Sequence, residues 1–485
     1  MFTLDRDATV PLSEQIDIHL RGMIAERRLL PGARLVSIRR LAADLQVSPN
    51  TVVSAYDRLV ADGLVSSRGT AGYFVAEAAG TVIDGAPLEA GEAHEPLWLA
   101  QQSNDMRPGV LLASGGALPI AWLEDAIPAS LVQRALSHHG LGMATRCPPQ
   151  GMSALRERLA MHMRGQGMQV DASRVLTTFG STHAIDLIVR TVLRPGDVVV
   201  VEDPGYFLLF ERLRQAGVRA VPVTRRADGV DLIELEAACV SHRPKLMFLQ
   251  TVLHNPTGWT STPANLHRVL RIAEQHGVLI AEDDVHGHFQ PGQPTRLAQM
   301  SQLDGVIYFS SFCKVVSPAL RMGHIAAAPP LLKALLREKI SSVLTTPTLN
   351  ELVLLELLST GRFRKHADRI QQRLGAARVA TARLLRGAGV QIDAMGDAGI
   401  FMWGRVPEGV DVRGLVREAY DHQIVLAPGA NFRANGAADD PHIRFNVAAS
   451  QNVRLAEFLA PRLGGGTARV DPVATAATAA ARPAP

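Results

Sequence analysis

The sequence predicts a two-part α/β chain: an N-terminal winged helix-turn-helix, then a mostly parallel, doubly wound sheet with a smaller C-terminal α+β lobe. Three observations carry this. Apolar residues recur every four positions near the N-terminus, followed by two more short helical segments joined by a tight break. From about residue 107, short apolar runs alternate with helical stretches, and right-handed crossovers turn that alternation into a parallel sheet covered on both faces. Beyond about residue 330 the pattern is helical and then mixed around "GIFMWGRV" and "HIRFNVA", as a smaller lobe requires.

The first helix rests on Leu12, Ile16, Leu20 and Ile24 in "PLSEQIDIHLRGMIAERRLL", with Pro31-Gly32 as its stop. In "SIRRLAADLQVSPNTVVSAYDRLVADGLV" a second short helix breaks near Val47. A third opens with Ser48 as N-cap and Pro49 at the first helical position. Two helices joined so tightly make a helix-turn-helix. The following "LVSSRGTAGYFVA" gives a hairpin wing with Arg68-Gly69-Thr70 at its tip, and the unit spans 8–76.

Charge adds a function to this shape. Between Arg21 and Val75 stand eight arginines, no lysine and four acids, an excess equal to the +4 of all 485 residues. A basic module on a near-neutral body suits a phosphate backbone, and a merely solvated basic face is the plainer alternative. In a helix-turn-helix the third helix enters the major groove, so Ser48, Asn50, Thr51 and Ser54 at its N-terminal end would face base edges or phosphates of double-stranded DNA. Arg39, Arg40 and Arg68 would anchor the backbone.

Residues 77–106, rich in Ala, Gly, Glu and Pro, show no sustained period and read as a linker. The second domain spans 107–463, its small lobe about 345–463, and the Gly/Ala/Thr/Pro tail 464–485 reads as disordered. Cys147, Cys239 and Cys313 are widely spaced with no C-x-x-C pair, which argues against a disulfide framework or a thiolate zinc site and for a reducing cytoplasm. No apolar run has signal-peptide or membrane-spanning character.

In an open parallel sheet, ligands bind beyond the carboxyl ends of the strands, so the residues just after each strand form the candidate site. "FGSTHA" supplies Gly180, Ser181 and Thr182 at a helix start, where free N–H groups and hydroxyls suit a phosphate. "EDPGYF" supplies Tyr206 to stack on a planar ring, "HNPTG" supplies Asn255, and "AEDDVHGH" supplies Asp283, Asp284, His286 and His288. "SSFCKVVSPALRMGHI" supplies Ser311, Lys314 and Arg321. A lysine in so apolar a setting loses its proton or gains a partner, and a neutral amine can form a Schiff base.

A phosphate cup, a stacking ring, an Asn, a carboxylate and a desolvated amine together meet the needs of pyridoxal 5'-phosphate. The carboxylate would keep the pyridine nitrogen protonated, the amine would carry the aldehyde, and Arg321 with the hydroxyls would hold the phosphate. Taken alone, each has an ordinary reading: Tyr206 as a rim tyrosine, NPTG as a turn, Ser181 as an N-cap. "EDDVHGH" also permits a metal cluster of two carboxylates with His286 and His288, though this leaves the phosphate cup and the lysine unexplained. His138 and His139 have no evident partner and read as surface residues.

With these motifs in hand, the second domain resembles fold-type I pyridoxal-phosphate aminotransferases over roughly 350 residues, and the first resembles GntR-type winged helices over roughly 65. The fusion is similar to the MocR-type subgroup of GntR regulators. "PGARLVSIRRLAADLQVSPNTVVSAYDRLVADGLV", "HNPTG", "EDD" and "SFCKVVSPALRMG" carry the resemblance. It implies Lys314 as the Schiff-base lysine, Asp283 as the pyridinium partner and Asn255 on the ring 3-oxygen. It implies Tyr206 on the ring face, and Ser181, Thr182, Ser311 and Arg321 on the phosphate. It places Arg444 of "HIRFNVA" where such enzymes clamp a substrate carboxylate, a structural ion pair being the competing role.

The chain also departs from the pattern. His286 stands where the family often has tyrosine, Met143 lies in a segment that commonly holds one, and Pro49 replaces a common arginine. The resemblance implies a cytoplasmic, homodimeric DNA-binding transcription regulator that senses an amino compound, or the cofactor itself, through Lys314. The alternatives are a freely turning-over aminotransferase with an accessory winged helix and, weakest, a metal-dependent DNA-binding protein.

Overall fold

The computed structural model describes residues 4–6, 10–25, 29–30, 32–61, 64–67, 72–75, 96–102, 109–138, 145–392, 394–437 and 439–465. Arg68, His139 and Met143 lie outside them, as do residues 466–485 and most of 77–106. The chain divides into two compact units, Met1–Pro87 and Leu88–Pro485.

In the first unit, helices α1 (Leu12–Ala25), α2 (Ile38–Leu45) and α3 (Pro49–Ala61) precede the antiparallel strands β1 (Val65–Ser67) and β2 (Tyr73–Val75). The four-residue spacing of α1 buries Ile16 and Leu20 against Val52, Ala55, Tyr56 and Leu59 of α3. Gln46 turns the chain between α2 and α3 at φ 51°. Ser48 Oγ then accepts the Thr51 N–H at 3.2 Å, so the expected cap is made. A bridge from Arg34 to Phe74 widens the wing to three segments. The Tyr56 hydroxyl fastens α3 to that wing by donating to Val36 O at 2.7 Å.

The second unit is built on β3 (Val175–Thr178), β4 (Val198–Asp203), β5 (Arg219–Arg226), β6 (Gly229–Val230), β7 (Leu246–Leu249), β8 (Leu279–Asp283), β9 (Val306–Ser311) and β10 (Gly323–Ala326). Their order is β3-β10-β9-β8-β7-β4-β5-β6. β10 runs antiparallel to both neighbours and β6 antiparallel to β5, while the remaining pairs are parallel. Strand alternation fills two cores. Val200, Met247, Ile280 and Tyr308 face one, and Val199, Val201, Leu246, Phe248, Ala281 and Ile307 face the other.

A smaller sheet, β11 (Phe401–Arg405), β13 (His442–Asn446) and β12 (Ala427–Pro428), forms the C-terminal lobe with the long helix Arg362–Gly387. The N-terminal segment also joins it, through a parallel bridge from Leu111 to Ile424. One difference from the sequence reading stands out. Within the stretch read as linker, Pro96–Gln102 is helical, and Trp98 and Leu99 are wholly buried against Phe207, Trp403 and Phe432. Two turns of helix are too short to show a period, but two large apolar side chains suffice to dock them. No described helix is long and apolar enough to cross a membrane.

Candidate functional site

The strand ends converge on one cavity of about 220 Å³, lined by Ser181, Thr182, Tyr206, Asn255, Asp283, His286, Ser311, Lys314, Arg321 and Arg444 among others. Of the residues read as following the strands, all line it except Gly180, Asp284 and His288, and Arg444 joins them. Gly180 lies directly behind the wall. At φ +78° it opens the helix Gly180–Val192, and a Cβ there would sit 3.1 Å from Cys313 Sγ, 3.4 Å from Arg321 Nη2 and 3.5 Å from Ser311 Oγ. Glycine suits the backbone at this φ, and any Cβ would crowd the Cys313 sulfur. The result is a cup: a helix N-terminus, a hydroxyl and a guanidinium together.

Asp283 ends β8 and is 8% exposed. Its Oδ1 accepts the Val285 N–H at 3.0 Å, and no cationic side chain among the described residues pairs with it. Burial, and then the neighbouring carboxylates, push its pKa up to about 7. The adjacent Asp284 differs: it takes Arg296 at 2.8 Å and the Tyr308 hydroxyl at 2.7 Å. A carboxylate buried at the mouth of a parallel sheet without a cation fits the protonated nitrogen of a pyridine ring.

Lys314 follows β9 and is half-buried. Desolvation of its amine, and then the positive charge of Arg444, lower its pKa to about 8. Gly116 faces it so closely that a Cβ there would stand 3.1 Å from Nζ. Tyr206 has its phenol pushed up to about 12, chiefly by burial and then by Asp283, so it stays protonated. His286 is held neutral, its pKa down at about 3 through burial and the positive charges of Lys314 and Arg444.

Arg444 lies on β13, is 2% exposed and makes no ion pair among the described residues. Nη1 donates to Asn255 Oδ1 at 2.8 Å and Nη2 to Ser114 O at 2.7 Å, while Nε is buried without a partner. Its carbon lies 4.2 Å from the Phe401 ring centre and 4.8 Å from that of Phe432. Burial lowers its pKa to about 9, leaving it charged at neutral pH and short of an anion. Among the described residues the competing role of a structural ion pair therefore has no acid to support it.

Sequence reasoning missed Gln250, Gly116, Phe401 and Ala100, which also line the cavity. Gln250 could have been found, because it directly follows β7. It braces the site: its N–H donates to Glu202 Oε2 at 2.6 Å, its Oε1 accepts the Asn255 N–H at 2.5 Å, and its Nε2 lies 3.4 Å from His286 Nδ1. The metal reading of "EDDVHGH" loses its geometry. Asp284 turns to Arg296, and His288 stacks on Phe312 at 5.1 Å. Among the described residues no group of three His, Cys, Asp or Glu could hold an ion. His138 is exposed, with its ring nitrogen 3.7 Å from Glu356.

In the first unit, Arg39, Arg40, Asn50 and Ser54 are exposed. Asn50 and Ser54, four apart, share the outward face of α3, opposite buried Val52, Ala55 and Tyr56. Ser48 and Thr51 are engaged with each other, their hydroxyls 2.9 Å apart. Arg40 lies 4.0 Å from Asp44, and Arg39 has no ion pair among the described residues.

The Aminotransferase class I and II family matches residues 114–460, and the family of bacterial regulatory proteins, gntR family, matches residues 12–75. The uncharacterized HTH-type transcriptional regulator YdcR of Escherichia coli (strain K12) is 31% identical over 447 residues, 90% of this chain and 94% of that protein. The probable rhizopine catabolism regulatory protein MocR of Rhizobium meliloti is 29% identical over 88% of each chain. This chain belongs to the MocR-type subgroup of GntR regulators. It is a DNA-binding regulator fused to an aminotransferase-like domain. Among solved structures, LysN, the alpha-aminoadipate aminotransferase of Thermus thermophilus, complexed with N-(5'-phosphopyridoxyl)-L-leucine, has a TM-score of 0.68. It is 27% identical and is covered over 96% of its length by 76% of this MocR-type chain.

Proposed function

We propose that this MocR-type regulator binds pyridoxal 5'-phosphate at Lys314 and uses it to sense an α-amino acid, whose binding alters how the winged helix engages DNA. One observation carries the reading: a single cavity holds a buried carboxylate and a buried guanidinium, neither in an ion pair among the described residues, with a half-buried amine of lowered pKa beside them. Bound there, the cofactor supplies an aldehyde that bonds reversibly to amines and a ring that withdraws electrons.

The residues divide the work. Lys314, its pKa lowered to about 8, has about a tenth of its amine neutral at pH 7, far more than an ordinary lysine, and so offers a free amine. Asp283 holds a proton on the ring nitrogen, and Tyr206 covers the ring. Ser181, Thr182, Ser311 and Arg321 hold the phosphate, with Gly180 giving it room. Asn255, its Oδ1 taken by Arg444, has its Nδ2 donor left for the ring 3-oxygen. Arg444 takes the amino acid's carboxylate. In the winged helix, Asn50 and Ser54 face the bases and Arg39, Arg40 and Arg68 the backbone, within a domain of 8–76. A homodimer supplies two such helices to paired half-sites.

The test is the absorption spectrum of the full chain with added cofactor, with Lys314→Ala as control, read alongside binding of labelled operator DNA. The expected result is a Lys314-dependent visible band that one amino acid shifts while DNA affinity changes. If that band bleaches and a keto acid is both produced and required to restore it, the domain turns over as a transaminase. No Lys314-dependent band refutes the cofactor assignment.

A further inference from the structure

Resting on the reading of this cavity as a pyridoxal 5'-phosphate site, we propose that Gln250 is a positioning residue whose side chain aims the Asn255 amide at the cofactor's ring oxygen. Its own footing is firm. Gln250 directly follows β7 and is buried, and its N–H donates to Glu202 Oε2 at 2.6 Å. Glu202 is anchored in turn, its Oε1 taking Arg225 Nη1 at 2.7 Å, and that same nitrogen reaches Ser261 Oγ at 2.9 Å. Glu202, Arg225 and Ser261 are all buried, so Gln250 stands on charge-assisted bonds shielded from water.

From that footing the side-chain amide reaches two ways. Its Oε1 accepts the Asn255 N–H at 2.5 Å, and because a backbone N–H can only donate, this contact fixes which end of the amide is oxygen. Nε2 therefore lies at the other end, 3.4 Å from Nδ1 of His286, whose ring is neutral with its pKa down at about 3 and so offers a lone pair there. A buried amide is costly unless both its ends are bonded, and here both meet residues of the cavity wall. Asn255 is thus held twice, by its N–H to Gln250 and by its Oδ1 to Arg444 Nη1 at 2.8 Å, which leaves Nδ2 for the cofactor. The ring oxygen carries negative charge beside the protonated nitrogen that joins Lys314 to the cofactor. A donor on that oxygen draws charge away and lets the proton leave at lower pH, and a misplaced donor has the opposite effect.

The full chain is loaded with pyridoxal 5'-phosphate, and the Lys314-dependent band is titrated with pH in the wild type, Gln250→Met, Asn255→Ala and the double variant. Gln250→Met keeps the bulk and removes both side-chain bonds, and its midpoint is expected to rise by about 1 pH unit, the worth of a weakened hydrogen bond to a charged group. Asn255→Ala is expected to raise the midpoint at least as far. The double variant should lie within about 0.3 unit of Asn255→Ala, because Gln250 acts through Asn255. A residue that only stabilises the fold leaves the midpoint where it is. An unmoved midpoint in either single variant, or two shifts that simply add in the double variant, overturns the inference and leaves the cofactor assignment standing. No Lys314-dependent band in the wild type overturns that assignment, and the inference with it. Where a variant holds no band, or the band does not titrate, a crystal structure of the loaded wild-type chain decides. Asn255 Nδ2 within about 3.2 Å of the ring oxygen, with Gln250 still on the Asn255 N–H, upholds the role, and a ring oxygen held by another donor without Asn255 overturns it.

Discussion

Replacing Arg444 by Gln tests the reading where the structure permits a magnitude. A guanidinium has five N–H donors. Two are spent, on Asn255 Oδ1 at 2.8 Å and Ser114 O at 2.7 Å, so three remain for a ligand, including the unpartnered Nε. With the side chain 2% exposed, any carboxylate it meets is shielded from water. Removing one partner of a buried, hydrogen-bonded charge pair costs about 2–5 kcal/mol. Arg444→Gln should therefore weaken amino-acid binding by about 30-fold to about 4,000-fold. The decarboxylated amine of the same side chain never uses that guanidinium, and its affinity should change by no more than about threefold. The assay is parallel titration of the cofactor band with each compound, and retention of the band shows that the variant still holds the cofactor at Lys314. Equal loss for amine and amino acid, or no loss for either, refutes the carboxylate role.

Three further outcomes follow from other parts of the molecule. Asp283→Asn should lower cofactor affinity roughly 10- to 100-fold and shrink the rise in melting temperature that the cofactor gives. His324, 1% exposed between Tyr308 and Phe312 with both ring nitrogens unpartnered, has its pKa depressed by burial to about 3. Its contribution to stability is therefore present above the unfolded value of about 6.5 and lost as pH falls below it. Between pH 7 and pH 5, denaturant unfolding of the wild type should lose about 2 kcal/mol more than that of His324→Leu. Arg39→Ala and Arg40→Ala should each reduce the slope of log affinity against log salt by about 0.9 if the residue meets a phosphate, with little change in sequence preference.

Much of this architecture was legible because period and strand-end position are local signals. The four-residue spacing of Ile16 and Leu20, the Ser48 cap, and the apolar runs of β4, β7, β8 and β9 each declare themselves within a few residues. The same rule of looking just past each strand located Asp283, Asn255 and Lys314. Other features depend on contacts far along the chain. The separation of Asp283 from Asp284 depends on Arg296 and Tyr308, which claim the second acid. Gly116 opposes Lys314 from almost 200 residues away, and Arg444 meets Asn255 at a separation of 189. The helix Pro96–Gln102 was hidden for a different reason: its stability comes from docking Trp98 and Leu99, with almost no periodic signal of its own.

That helix lies on the chain path from the site to the DNA-binding unit. Asp283 and Lys314 belong to the eight-stranded sheet and the loop that follows it, whereas Arg444 belongs to the three-stranded sheet of the small lobe. A ligand that bonds the cofactor while giving its carboxylate to Arg444 therefore ties the two lobes together. Trp98 and Leu99 pack across that same seam, against Phe207 on one side and Trp403 and Phe432 on the other, and Ala100 forms part of the cavity wall. Closing the seam changes the surface on which the helix rests. The chain on its N-terminal side leads to the winged helix, so under the proposed sensing role this helix is where closure of the seam would be passed toward the DNA-binding unit. A transaminase needs the same closure but no such attachment.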